Sequence, residues 1–228
     1  MDSISRRLLL AGTAIGAAAA LFDAKEANAA PPARTLFDLA GQHPAPAKLS
    51  EAVLLIIDAQ GEYRKGPLRL DGMEPAMKQL AGLLKRARAA KTPIIHIAQT
   101  GDPGDLFDRQ SEGGRFVPEV TPAEGETIIE KPLPNSFART GLQDRLTAIG
   151  RKELIVVGFM THMCVSSTVR AAFDLDYHVT LAADATATRS LPAMGTGAPV
   201  KAAQIQAAAL AALGDYFATI VPSATIPV

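Results

Sequence analysis

The one cysteine in this 228-residue chain, Cys164, sits in "VVGFMTHMCVSSTVRAAFDL", where an apolar run gives way to a helical pattern. At the start of a helix, unpaired backbone N–H groups and the macrodipole favour a thiolate, the form in which cysteine is a nucleophile. Attack on a carbonyl also needs a base. Two further groups stand in comparable places: Asp58 closes the apolar run "AVLLIID", and Lys131 closes "ETIIEK". Taken singly, each has a plain reading. A lone cysteine is as readily a small buried hydrophobe, the aspartate a turn former, and the lysine before Pro132 a solvated loop charge.

What joins them is the order of the elements. "AVLLIID", "TPIIHIA", "ETIIEK", "ELIVVG", "YHVTLAAD" and "FATIV" read as strands. Several are continuous apolar runs, as in parallel strands covered on both faces. Between them, Glu74–Lys91, "GLQDRLTAIG", "CVSSTVRAAFDL" and "APVKAAQIQAAALAALG" read as helices, with Met77, Leu80, Leu84 and Ala87 on one face of the first. Alternating strands and helices predict a doubly wound α/β fold, and such sheets collect ligands beyond the carboxyl ends of their strands. Asp58, Lys131 and Cys164 then share one edge. Residues 99 to 126 form a long polar stretch that is read as a pocket flank or lid.

The residues from Val53 to Val221 resemble the isochorismatase-like cysteine hydrolases, which include nicotinamidases and N-carbamoyl amidohydrolases. The blocks that carry the likeness are "LLIIDAQ", "IIEKPLPNSFARTGLQDRL" and "LIVVGFMTHMCVSSTVRAAFDLDYHVTLAADATATRSLP". The resemblance implies a three-layer α/β/α fold, Rossmann-like, with a mostly parallel sheet of about six strands. It implies a catalytic triad of Asp58, Lys131 and Cys164. It also implies a cis peptide at Phe159–Met160 that aims the N–H groups of Met160 and Cys164 at one oxygen, as an oxyanion hole. The expected activity is hydrolysis of a C–N bond in a small amide, carbamoyl or imide substrate through a thioester. The alternatives are vinyl ether hydrolysis with the aspartate as general acid, and a periplasmic binding protein with a vestigial site. A phosphoacceptor module also places an aspartate and a Lys-Pro pair at strand ends, but no strand before Val53 carries the acidic pair that would hold its magnesium.

Closeness to these motifs nominates Gln60, Tyr63, Phe137, Phe159, Thr161 and His162 as substrate-pocket residues. Arg139 is a weaker carboxylate anchor, because a loop-to-helix turn is usually solvated. Metal-dependent members of the family carry an aspartate and histidines after the second strand. Here "QTGDPGDLFDRQSEGGRF" has no histidine, so no metal and no other cofactor is expected.

Composition agrees with a small-molecule substrate. Lys+Arg and Asp+Glu both total 23, an even balance that gives no basic excess for nucleic acid. At the N-terminus, Arg6 and Arg7, an apolar run from Leu8 to Leu21 and Ala27-Asn28-Ala29 resemble a cleaved twin-arginine signal over residues 1–29. The run is short of the roughly 20 residues that span a bilayer. The expected protein is therefore periplasmic, with no membrane contact after cleavage. An arm at 30–50, bearing four prolines, should lead into a hydrolase domain at 51–228. The alanine-rich stretch from Ala198 to Leu213 has few groups that need solvent, which points to a homo-oligomer.

Overall fold

The computed structural model describes residues 32–228, so the signal expected at 1–29 lies outside the described residues. Arg34–Val228 form a single compact unit. Its centre is a six-stranded parallel sheet in the order β3-β2-β1-β4-β5-β6. The strands are β1 (Ala52–Ile57), β2 (Ile94–Gln99), β3 (Thr127–Lys131), β4 (Glu153–Phe159), β5 (His178–Ala187) and β6 (Thr219–Val221). Every residue of β1 is buried, as is all of β4 but its first. That burial is why these two central strands are apolar without alternation.

Helices α2 (Met73–Ala89), α3 (Leu142–Ile149), α4 (Ser166–Asp174) and α5 (Ala202–Gly214) cover the two faces. Leu54 and Ile56 of β1 join Met77, Leu80 and Leu84 of α2 in one core cluster. Val53, Leu55 and Ile57 point the other way and join Leu142, Leu146, Val165 and Val169 in a second. One strand thus feeds both layers through its two-residue period.

The arm is more ordered than its prolines imply. A short helix, α1 (Leu36–Leu39), begins at Thr35 with a capping box to Asp38. Ala47 and Leu49 are buried in the first core cluster, and Ala47 N–H donates to Thr180 Oγ1 at 2.8 Å. Strand β5 also runs three residues past the expected end at Asp184. The β4–β5 register shifts between Val156 and Gly158, and Phe159 then pairs with Ala187. The shift carries the end of β5 up to the edge where the reactive residues lie.

Sheet order places that edge. From β1 the chain winds outward through β2 and β3, then returns to the other side of β1 as β4. In doubly wound sheets such a reversal marks where ligands bind, here beyond the carboxyl ends of β1 and β4. Asp58 follows the first of these strands and the Thr161–Cys164 turn follows the second.

Candidate active site

Asp58 ends β1 with its N–H on Ile97 O at 3.0 Å and a backbone φ of 48°. A left-handed conformation is costly for a residue with a Cβ and is held only where neighbours enforce it. Lys131, the last residue of β3, reaches across β2. Its Nζ lies 2.8 Å from Asp58 Oδ2, and both side chains are wholly buried. The contact is a close ion pair without the alignment of a hydrogen bond. Lys131 instead donates to Gln99 Oε1 at 2.6 Å. Neither oxygen of Asp58 has an aligned donor among the described residues. The carboxylate therefore keeps acceptor capacity, which a base must have.

Cys164 lies in a five-residue π-turn, Thr161–Val165, that leads into α4. The first α-helical residue is Ser166, two positions later than the expected start. Phe159–Met160 is a cis peptide. Met160 O accepts from Met163 N at 3.0 Å and from Val165 N at 3.2 Å, which folds the turn back on itself. The cysteine is 5% exposed.

Charge and burial set the resting protonation. Burial, then the negative charge of Asp58, push the Cys164 thiol up to about 12, and the Lys131 ammonium offsets only part of this. The helix start therefore does not make a standing thiolate, contrary to the expectation from sequence. Burial is the largest cause, and α4 itself begins only at Ser166. Asp58 is itself raised above the ordinary carboxylate range by burial, against the pull of Lys131. The site therefore pairs a protonated thiol with the buried Asp58–Lys131 contact.

The other nominated residues divide. Tyr63 is 1% exposed, and its phenol is raised by burial and then by the charges of Asp58 and Cys164. Its ring meets Phe107 and Phe159 edge-on, at 5.5 Å and 5.9 Å between centroids. Phe159 is wholly buried and belongs to the core. Gln60 is not free for substrate: its amide donates to Gln99 O at 3.0 Å and Gly114 O at 2.7 Å, and accepts from Gln99 N at 2.9 Å. Thr161 donates to Ala187 O at 3.0 Å. His162 Nδ1 lies 2.5 Å from Thr188 Oγ1. Phe137 stacks on Tyr177 at 6.1 Å, against the second core cluster. Tyr177 immediately precedes the amino end of β5, so this ring leans away from the triad. Arg139 is exposed at a left-handed turn, φ 60°.

Two residues escaped the sequence reading. Gln99 ends β2 opposite Lys131 in register and holds its ammonium. Arg189 follows Thr188 at the end of β5. With burial, its charge holds the His162 imidazole below its usual range. The strand-end rule that found Asp58 would have found both, had it been applied to uncharged Gln99 and to the true end of β5.

The 100–126 segment is pinned to this edge. Gly61 N donates to Arg115 O and Glu62 N to Gly113 O, at 3.0 and 2.8 Å. No Cβ would fit at Gly61, because Glu112 O occupies that space. The described residues contain no cluster of three His, Cys, Asp or Glu side chains placed to hold a metal ion.

A family model described as the isochorismatase domain matches residues 52–225. The chain belongs to the isochorismatase family. Its relatives include the secreted isochorismatase effector Isc1 of Verticillium dahliae, 38% identical over 82% of this chain and 95% of that protein. A streptothricin hydrolase of Streptomyces noursei is 34% identical over 76% of this chain and 69% of its own length. Among solved structures, an isochorismatase from Pseudomonas putida KT2440 superposes with a TM-score of 0.82 at 47% identity, covering 85% of this chain and 99% of that one. With the streptothricin hydrolase and a ureidoacrylate amidohydrolase of Stutzerimonas stutzeri among its relatives, this member of the isochorismatase family is a hydrolase.

Proposed function

We propose that this isochorismatase-family hydrolase cleaves a C–N bond of a small amide, carbamoyl or imide substrate through a thioester on Cys164. One observation carries the reading: a protonated thiol beside a buried carboxylate whose oxygens are unsaturated and whose charge is balanced by Lys131. Asp58 accepts the thiol proton as Sγ attacks the carbonyl carbon. The negative charge moves from carboxylate to sulfur and then to the substrate oxygen, where the N–H groups of Met160 and Cys164 receive it. Asp58 next gives its proton to the leaving nitrogen, later takes one from the water that attacks the thioester, and passes it to the Cys164 sulfur as the C–S bond breaks. Lys131 opposes one negative charge at each stage, so the buried site never changes its net charge. No metal or cofactor enters this scheme.

The test is rapid quenching of the protein with small amides and N-carbamoyl compounds, followed by the intact mass. A transient adduct on Cys164, absent from Cys164→Ala, is expected, and native-rate turnover by Cys164→Ala would exclude covalent catalysis. The names of the Verticillium and Pseudomonas relatives favour a second reading, vinyl ether hydrolysis with Asp58 as acid. Isochorismate consumed without any adduct would establish it.

Export by the twin-arginine route is proposed from residues 1–29, and the secreted relative lends it support. Fractionation of a tagged full-length chain tests it. A homo-oligomer is proposed because α5 buries only Ala202 and Leu213, which leaves most of its alanines uncovered. Light scattering at the mass of one chain, 23.9 kDa with residues 1–29 retained and less once they are cleaved, would refute that.

A further inference from the structure

Thr161–Val165, the turn that carries Cys164, ties down every side chain but one. Thr161 is fixed by its bond to Ala187 O, His162 sits against Thr188 Oγ1, Cys164 is buried, and Val165 belongs to the second core cluster. Met163 alone turns a large apolar side chain to solvent. It is 41% exposed, while its N–H is bonded to Met160 O inside the turn. Among the described residues Met73, Met77 and Met160 are buried, and only Met194, on the loop between β5 and α5, is a more exposed methionine.

The two sulfurs of the turn therefore meet an oxidant on unequal terms. A cysteine is oxidised as its thiolate, and Cys164 is shut from solvent with its thiol pushed up to about 12. At pH 7.5 about one chain in 30,000 would carry the thiolate. A thioether has no proton to lose, so its reactivity follows access. The nucleophile is protected and its neighbour is not.

We infer that Met163 is the oxidation site of this catalytic turn: a peroxide converts its thioether to the sulfoxide while Cys164 remains a thiol, and the sulfoxide disables the turn. The sulfur lone pair attacks one oxygen of hydrogen peroxide and the O–O bond breaks. Hydroxide leaves and removes the proton from the new S–OH group, giving sulfoxide and water, with sulfur oxidised by two electrons and the peroxide reduced. The polar S–O group draws water toward the covered part of the side chain, between the two residues whose N–H groups are assigned to the oxyanion. Reduction by a dithiol reverses the step and yields water and a disulfide. Oxidative loss at Met163 is thus recoverable, whereas a thiolate carried past the sulfenic acid is not. Only the effect on turnover rests on the thioester reading.

The test treats the purified protein with graded hydrogen peroxide and locates the added oxygen by peptide mass. Met163 should take up one oxygen atom while Cys164, alkylated after denaturation, stays unoxidised. The state of the turn is read in two ways: by Cys164-dependent cleavage of 4-nitrophenyl acetate, and by the rate at which native Cys164 takes up iodoacetamide. Oxidation should lower the first about tenfold or more, since outright loss of one oxyanion donor costs about 100- to 1000-fold. It should raise the second about tenfold, the effect of one unit of thiol pKa as water enters. Met163→Leu should resist both changes relative to its own untreated rates, and Met194→Leu should not. Methionine sulfoxide reductases with dithiothreitol should restore the native protein. Oxygen on Cys164 before Met163, a fully oxidised Met163 with both rates unmoved, or a Met163→Leu protein that responds as the native one does would overturn the assignment. Ester cleaved equally well by Cys164→Ala would sink the thioester reading and leave the alkylation rate to decide Met163.

Discussion

Replacing Lys131 with methionine keeps the length and apolar stem of the side chain and removes the ammonium 2.8 Å from Asp58 Oδ2. Asp58 is wholly buried, so its charge then stands uncompensated. Breaking a buried pair by removing one partner costs about 3–5 kcal/mol. The cost depends on pH, and the sign follows from Asp58. Its folded-state pKa already lies above the ordinary 3.8 because burial outweighs Lys131. An acid bound more tightly in the folded state contributes most stability below its unfolded pKa, and that contribution is lost as pH rises through the folded pKa. Without Lys131 the folded pKa climbs further, and the window of loss extends upward.

Lys131→Met should therefore be destabilised by about 3–5 kcal/mol at pH 8. Near pH 5 the deficit should be smaller by about 1.4 kcal/mol or more, the worth of one pKa unit, because the variant then folds with Asp58 protonated. The remainder is the lost hydrogen bond to Gln99. Urea denaturation at both pH values measures this. For a chain of this size, about 2–4 °C per kcal/mol gives a fall in Tm of roughly 6–20 °C at pH 8. The acid limb of activity should also move to higher pH. A deficit equal at pH 5 and pH 8, or below about 1 kcal/mol at pH 8, would refute the claim that Lys131 acts by holding the charge of Asp58.

Other expectations come from the same coordinates. With a pKa near 12 against the usual 9.0, Cys164 should alkylate with iodoacetamide about a thousandfold more slowly than a free thiol at pH 8, and labelling at the free-thiol rate would restore the standing-thiolate picture. In the native protein the acid limb of kcat/KM should have its midpoint above the ordinary carboxylate range, and a midpoint at or below 3.8 would exclude Asp58 as the base. Glu126 binds Arg88 and His96 and is lowered from 4.5 to about 2, so its contribution is present above pH 4.5 and lost as pH falls toward 2. Glu126→Gln should cost roughly 2–3 kcal/mol at pH 7 and much less at pH 3, read by urea melts. Gly158 has φ 114°, and an added Cβ would strike the backbone of Ile57, so Gly158→Ala should lose about 3 kcal/mol or fail to fold, whereas a native melting temperature would contradict the β1–β4 approach.

The parallel sheet was legible because apolar runs such as "AVLLII" and "ELIVVGF" have no reading but a strand covered on both faces. Asp58, Lys131 and Cys164 were legible because strand ends share an edge whatever the loops do. Gln60 shows where proximity in sequence misleads. The backbone at Asp58 turns left-handed, and two residues later the side chain points to Gln99 and Gly114 instead of the crevice. Phe137 misled for a similar reason, since its loop leans back over the sheet to reach Tyr177. The end of β5 was hidden because the register shift at Val156 and Gly158 depends on how two strands meet, and "ADATATR" bears no local mark of it. Arg189 was missed with it.

The burial of the site gives a physical reason for the proposed base to be an aspartate. A thiolate–imidazolium pair creates charge before substrate arrives, and needs surroundings that solvate both ions. Here Cys164, Asp58 and Lys131 are nearly or wholly shut from water, where creating a new charge pair would be very costly. The chain keeps one pair, Asp58 and Lys131, made at folding. In the proposed scheme, catalysis only moves the negative charge from oxygen to sulfur under the same ammonium, while the thiol proton travels the other way. A high thiol pKa is compatible with nucleophilic attack on these terms, since an unstabilised thiolate formed only in contact with substrate is the more reactive one. Proximity to Asp58 both raises the pKa of the thiol and provides the acceptor that removes its proton.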